Sequence, residues 1–523
     1  MTDVSLIDPN GLTQGAGIAN LTSGDHSGEL GEELIVAITK AAASSNVAYA
    51  CSDDKVFKLS NTAVLNGNFP KTIASGTANV ATDLIHYRSK VLVFWNDTGV
   101  DGDIGLLTND TTWDDNWGST VATGAAQLED APHYAILGGD NIVYVTNGIY
   151  VATVNNVTLD ATALDFHTDA ETVSVTWNNN RVKIAVNRPN VSGSNFNQSA
   201  IYTWNGGSSS WEGDPIEVNG ELGALYTKNG VTYVWWKDSI TNGGYSFGYI
   251  NGLQLSTLAR YSGSLPNQAQ VGEHDGHIAW LSSEKLLLWG SKDANCEIKM
   301  FPYMSALHDT AIGGFAAPFG TPLIASHQYA TFTAATNDTI TSAAHGLADD
   351  DTVRLTSVTT LPAGLSAATT YYVIESATNT FQLSASKAGT KIDITDTGTG
   401  VHTWHQYSIG KASGYSISAD YKTMAFNVSG GEEKSQIDLI IVEHETLATG
   451  AKCDFTLTYN KGASTQSLTQ IAYASGMSTR NKILNRSYSV EDFRLDISWA
   501  NGSATNPFKI RNVFIKGHYI KNN

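Results

Sequence analysis

Cysteine is nearly missing from this chain: Cys51, Cys296 and Cys453 are the whole complement among 523 residues. An odd count with no shared spacing argues against a disulfide framework or a zinc site. Each lies in a strand-like context, so buried free thiols are expected. Proline is scarce, 11 residues against 48 glycines, so the turns must be built on Gly and Asn. Charged residues make up 15%, below the usual share of about 25%. Asn, Ser and Thr take their place, as in rigid all-β proteins of the outside world and unlike most cytosolic enzymes. Positive charge is in deficit, with a formal net charge of −19. Such a surface repels phosphates and disfavours general nucleic-acid binding. No run reaches the roughly 18 apolar residues that span a bilayer. The opening MTDVSLIDPNG lacks a basic region followed by an apolar core, so no secretory signal is expected there.

What is present is a repeat. Between Ala81 and Met304 one pattern returns: an alternating strand, a tight polar turn, then a very apolar strand. DLIHYRSKVLVFW, HYAILGGDNIVYVTNG, VSVTWNNNRVKIAV, LGALYTKNGVTYVWW and AQVGEHDGHIAWL start at 83, 133, 173, 222 and 269, in steps of 50, 40, 49 and 47 residues. Asn, Asp and Gly at their centres tolerate the positive φ of two-residue hairpin turns. A four-stranded repeat of about 40–50 residues marks a β-propeller blade. Asn46 to Ser60, a hairpin around Asp53-Asp54, adds a further copy. The fold class is therefore all-β: a β-propeller of five to seven blades, six favoured, over residues 31–329.

Trp95, Trp177, Trp235 and Trp280 end or centre the repeated strands and are expected between sheets. Tyr202 with Trp204, and Tyr245 with Phe247 and Tyr249, share strand faces by their spacing of two. With Trp211 they suit packing between blades better than a sugar platform. Residues 1–30, rich in Gly, Ser and Asp, read as an N-terminal arm laid on a neighbouring chain. Residues 405–523 hold strands such as IDLIIVE, DFTLTY and FKIRNVFIKGHY, separated by Gly and Asn turns. They read as a C-terminal β-sandwich.

Residues 330–404 carry a different signature. His345-Gly346-Leu347 is followed by Asp350, Asp351 and Val353-Arg354, then Leu361 to Leu365, Thr370 to Val373, Asn379 to Ser384 and Gly398 to Thr403. This ordered series resembles a small β-module of tailed-bacteriophage virion proteins. His-Gln-Tyr at 327–329 returns at 405–407, as if the module were inserted into a host strand. Its apolar residues Ile340, Val353, Leu355, Tyr372, Val373, Phe381, Leu383 and Ile392 should bury against one another. His345 is expected to cap a turn.

Candidates for chemistry are numerous. A propeller glycosidase needs two carboxylates flanking the sugar bond. Asp83, Asp101, Asp103, Asp114, Asp115, Glu171, Glu221, Glu273 and Asp275 are all available. Nothing in the sequence singles out a pair, and no nucleophile elbow, phosphate-binding loop or His-Glu-x-x-His occurs. Asp97, Asp101 and Asp103 offer oxygen ligands, but not at EF-hand spacing. They are expected to form turns, with calcium as the alternative. Glu443 and Glu445 share a strand face on either side of His444, which is thin support for a metal. No catalytic, cofactor or metal residue is therefore assigned.

The resemblance implies a non-enzymatic structural component of a tailed-phage virion, of the tail (tip, fibre-like or nozzle). It would be assembled in the host bacterial cytoplasm among other virion proteins, as a symmetric homo-oligomer, with no membrane insertion and no specific nucleic acid. The alternatives are a glycan-binding adhesin for host attachment and a propeller glycosidase.

Overall fold

The computed structural model describes residues 37–519 apart from short stretches, of which 39–46, 119–127, 189–197, 290–298, 428–434 and 501–508 are the longest. Before residue 37 it describes residues 4–5, 12–13 and 17–20. The chain is all-β, and among the described residues no helix is long and apolar enough to cross a membrane.

The hairpins form where the turn residues demand them. Arg88 and Ser89, Asn179 and Asn180, and Asn229 with Gly230 all take positive φ. That backbone twist lets a two-residue loop join two twisted antiparallel strands. Successive hairpins then build four-stranded antiparallel sheets. Blade one runs from Ala37–Ile38 to Val64–Leu65, and blade two from Asn79–Tyr87 to Thr112–Asp114. Blade three runs from Ala135–Leu137 to Thr158–Asp165. Blades four and five share the long strand Ile216–Lys228, whose first residues close one sheet and whose last open the next. Blade six runs from Val271–His274 to Lys299–Pro302.

A seventh sheet completes the ring. Asp309–Ala316 is its innermost strand, followed by Leu323–Ala334 and His402–Ser413, with Gly17–Asn20 outermost. The innermost strands touch in a closed cycle, and Asp309–Ala316 meets both blade six and blade one. Among the described residues seven sheets stand in the ring, the upper end of the expected five to seven, of which six was favoured. The last blade is hard to read because its strands come from three places in the chain. Gly17–Asn20, expected in an arm laid on a neighbouring chain, instead pairs with residues 410–413 of its own chain. Val4–Ser5 and Leu12–Thr13 pair with Lys509–Tyr519. These short strands pair with strands of their own chain.

Among the described residues, each interface from that of blades one and two to that of blades five and six has its own core. Tyr144, Phe166 and Leu164 of blade three meet Val182, Ile184 and Trp204 of blade four. Trp235, Tyr245 and Phe247 of blade five meet Trp280 and Leu287 of blade six. Trp95, Trp235 and Trp280 are almost fully buried. Trp177 is half-buried, with one face stacked on Tyr144. Trp211 is more open and stacks on Phe166.

Residues 330–404 leave from the ends of the two middle strands of blade seven. The pairing of Leu323–Ala334 with His402–Ser413 brings Tyr329 directly opposite His405. The strands between them, Ile340–Thr341, Thr352–Ser357, Tyr371–Ile374 and Thr380–Ser384, enclose Ile340, Val353, Leu355, Tyr371, Val373, Phe381, Leu383 and Trp404. Tyr371 fills this core, where Tyr372 was expected; alternate residues of a strand point to opposite faces, so Tyr371 and Val373 go in together. Beyond residue 418, two sheets pack face to face over Ile440, Val442, Phe455, Leu457, Leu495 and Val513.

Candidate functional site in the propeller axis

Each inner strand touches only its neighbours in the ring, and a cavity of about 530 Å³ remains along the axis. Blades one to six contribute to its wall, with Asp83, His86, Trp177, Tyr226, Gln268 and Glu273 as its chemically notable side chains.

Bulges place the polar groups. In blade two the register slips between Phe94 and Trp95, so Thr82 is the extra residue. A bulge bends its strand and re-aims side chains. Thr82 Oγ1 accepts the His133 amide at 3.1 Å, and Asp83 accepts the Ala135 amide at 2.8 Å. Blade four slips at Val173, and Ser174 Oγ accepts the Leu225 amide at 2.8 Å. Blade five slips at Gly223-Ala224, and the Ala224 amide donates to Pro266 O. Each bulge ties one inner strand to the next blade. Gln268 adds a link across the channel. Its Oε1 accepts from Ser174 Oγ (2.8 Å) and the Val175 amide (2.7 Å), and its Nε2 donates to Ala135 O (3.1 Å).

Asp83 touches the cavity but is otherwise walled in by protein. Burial pushes its pKa up to about 7, against the amides of Ala135 and Leu84, which favour the charged form. Glu273 lines the same cavity, 3.2 Å from the Lys228 ammonium. Tyr226 beside it has its phenol pushed up, first by burial and then by the Glu273 charge and hydrogen bond. Burial also lowers His86. The cavity therefore combines a carboxyl able to be protonated near neutrality, a second carboxylate and two aromatic side chains.

Of the nine candidate carboxylates, Asp83 and Glu273 come together here. Glu171 and Glu221 are neighbours of each other outside this wall; Glu171 is raised by burial and then by the charge of Glu221. Asp103 is buried and accepts the Ile104 amide. Asp114 and Asp115 hold backbone amides of Asn116 and Ala74. The side chains of Asp97 and Asp101, all of Asp275, and Cys296 lie outside the described residues. Cys51 and Cys453 are buried free thiols.

Among the described residues no group of three or more His, Cys, Asp or Glu side chains is placed to hold a metal ion. Glu443 faces Arg480, and His444 is buried, bonded to Glu445 O and Asn481. His345 Nδ1 accepts the Leu347 amide at 3.1 Å, and its ring packs edge-on against Phe381. It is a packed turn residue.

A sequence signal for Asp83 did exist. Asp83, Ser174 and Ala224 each stand five residues before the first turn residue of their hairpins, Arg88, Asn179 and Asn229. Where two copies carry small residues, blade two carries a carboxylate.

No protein-family model matches the chain, and no curated protein matches it. Solved structures with low similarity to it include the following. An exo-β-1,3-galactanase from Phanerochaete chrysosporium is 9% identical over 98% of this chain and 100% of its own, with a TM-score of 0.29. A glycoside hydrolase family 43 arabinoxylan arabinofuranohydrolase from Bacillus subtilis is 10% identical over 96% and 99%, at 0.26. The computationally designed Ika8 protein is 14% identical over 74% and 99%, at 0.32. At these scores the likeness is one of β-propeller-like architecture. The expectation of a non-catalytic virion part and no enzyme is corrected: glycan-cleaving enzymes stand among the similar structures. The physical reason lies in the chain itself, where two carboxylates in unlike surroundings share one axial cavity.

Proposed function

We propose that the chain is a propeller glycoside hydrolase whose active site is the axial cavity. Asp83 acts as general acid and Glu273 as the second carboxylate. One observation carries the reading: Asp83, with its pKa pushed up to about 7, shares a cavity with a carboxylate paired to a lysine. Glycoside hydrolysis needs this division, a protonated carboxyl for the leaving oxygen and a carboxylate for the other face of the sugar. At about 530 Å³ the cavity falls in the range of small-ligand sites. Trp177 and Tyr226 offer apolar surface to a sugar ring.

The resemblance of residues 330–404 to a phage module supports placing this activity on a tailed-phage particle, among other virion proteins and in several copies. Host polysaccharide would then be the substrate class. The test is reducing-sugar release from a panel of bacterial and plant glycans, with Asp83→Asn as control. Release from at least one glycan, lost in the variant, supports the reading. No release from any glycan, or release that survives the substitution, rejects it. Nuclear magnetic resonance of the first product anomer then reads retention or inversion, which depends on the separation of the two carboxyls.

A further inference from the structure

The repeated His-Gln-Tyr plays no part in the axial site. The fold brings its two copies side by side at the root of the inserted module. His327 stands opposite Tyr407, and Tyr329 opposite His405. With alternation along each strand, the four rings share one sheet face. His327 Nε2 lies 3.0 Å from His405 Nδ1. Both side chains are half-buried, so the face is reachable from solvent. Tyr407 stacks on His327 at 4.3 Å between ring centroids, and Tyr329 lies 5.0 Å from the same ring. The other nitrogen of His405 is held by Thr356 Oγ1 at 2.8 Å.

We propose that His327 Nε2 and His405 Nδ1 form a two-imidazole chelate for a divalent transition metal, Cu²⁺, Ni²⁺ or Zn²⁺, that ties the module's two connecting strands together. Two nitrogens on one metal, at about 2.0–2.1 Å each, are about 2.9 Å apart in a square plane and about 3.3 Å apart in a tetrahedron. The observed 3.0 Å needs only small ring rotations to accept an ion. Imidazole suits these three metals. Thr356 supplies the outer contact that ligating histidines usually have, a partner on the nitrogen that does not bind. On binding, the proton between the rings shifts within its own ring, from His405 Nδ1 to His405 Nε2, which then donates to Thr356 Oγ1, or from His327 Nε2 to His327 Nδ1 in the other tautomer; no proton is lost overall. Water completes the coordination. Arg354, the register partner of His405, brings a positive charge to this part of the sheet. Affinity is therefore expected to fall below that of a three-ligand site.

The test uses the full chain. Titration with Cu²⁺ should show one site per chain that is missing from the His327→Gln/His405→Gln double variant. Electron spin-echo spectroscopy of the Cu²⁺ form should count two imidazoles. Thr356→Val should weaken binding by about 10-fold or more, and saturating metal should raise the melting temperature of the wild type alone. Binding identical in the double variant would mean that other histidines hold the ion, and overturns the proposal. So does a spectrum with fewer than two imidazoles. If the double variant folds poorly, the wild-type spectrum and Thr356→Val still decide.

Discussion

Among the described residues of blades one to six, the core clusters are shared between neighbouring sheets. The cluster of Trp235, Tyr245, Phe247 and Trp280 belongs jointly to blades five and six, and that of Tyr144, Phe166 and Trp204 to blades three and four. In the inserted module the reverse holds. Phe332, Ile340, Val353, Tyr371, Phe381 and Trp404 close on one another within residues 330–404. Packing at interfaces leaves the centre of the ring unfilled, and the cavity with Asp83 and Glu273 is what remains. Packing inward leaves no such room. A ring built of interfaces therefore keeps an axial cavity, whereas the inserted stretch keeps a core of its own.

The largest effect expected is on the site. Asp83→Asn should lower turnover by about 100- to 10,000-fold, the usual contribution of a positioned general acid, as read by initial rates. In the wild type, activity should fall as pH rises through about 7, where Asp83 loses its proton. Stability follows the same sign. The folded pKa lies above the ordinary value of 3.8, so the folded state holds the proton more tightly. The Asp83 contribution is thus greatest below pH 4 and is lost on going from there to about 7. Melting temperatures across that window should drop in the wild type, and this component should be absent in Asp83→Asn.

Next in size is the ring itself. Trp280→Ala removes a fully buried side chain whose Nε1 donates to the Tyr245 hydroxyl at 2.8 Å. It should cost about 3–5 kcal/mol in denaturant melts. Amide exchange should locate the loss in blades five and six and leave residues 330–404 as protected as before. Equal loosening of the module would erase the contrast drawn above.

Gln268→Ala should come third, at about 1–3 kcal/mol, because it takes the acceptor from the Ser174 hydroxyl proton and the Val175 amide at once. Smallest of all, replacing residues 330–404 with a short Gly/Ser linker should leave the propeller's melting unchanged. Tyr329 and His405 are already paired neighbours, and closure entropy grows slowly with loop length. A propeller that failed to fold without the module would show that the two regions share more than two strands.

Much of the architecture could be read from alternation and turns. The hairpins of blades one to six announce themselves through tight polar turns such as Arg88-Ser89 and Asn229-Gly230. Blade seven does not. The sequence between its first two strands, APFGTP, holds no Asn-Gly-like pair, its middle is split by the module, and its outer strand lies some 390 residues away, Asn20 against Gly410. Pattern reading is local, and this sheet is not. The site was half legible. Composition supplied nine carboxylates without ranking them, because ranking depends on which strands border the axis and where bulges aim their side chains. Asp83 owes its place to the slip at Thr82, which no count of acidic residues could reveal.

The strand Gly17–Asn20 gives the ring a timetable. At roughly 5–20 residues per second of synthesis, about 20–80 s separate its emergence from that of its partner residues 410–413. Six blades can stack in that interval, so the earliest of the seventh sheet's strands is the last to dock. A newly made chain should pass through a state in which the edge strand His402–Ser413 seeks a partner and a short segment of any sibling chain could take the place. Crowded synthesis on one message would favour that exchange, and slow, dilute expression would favour the closed ring.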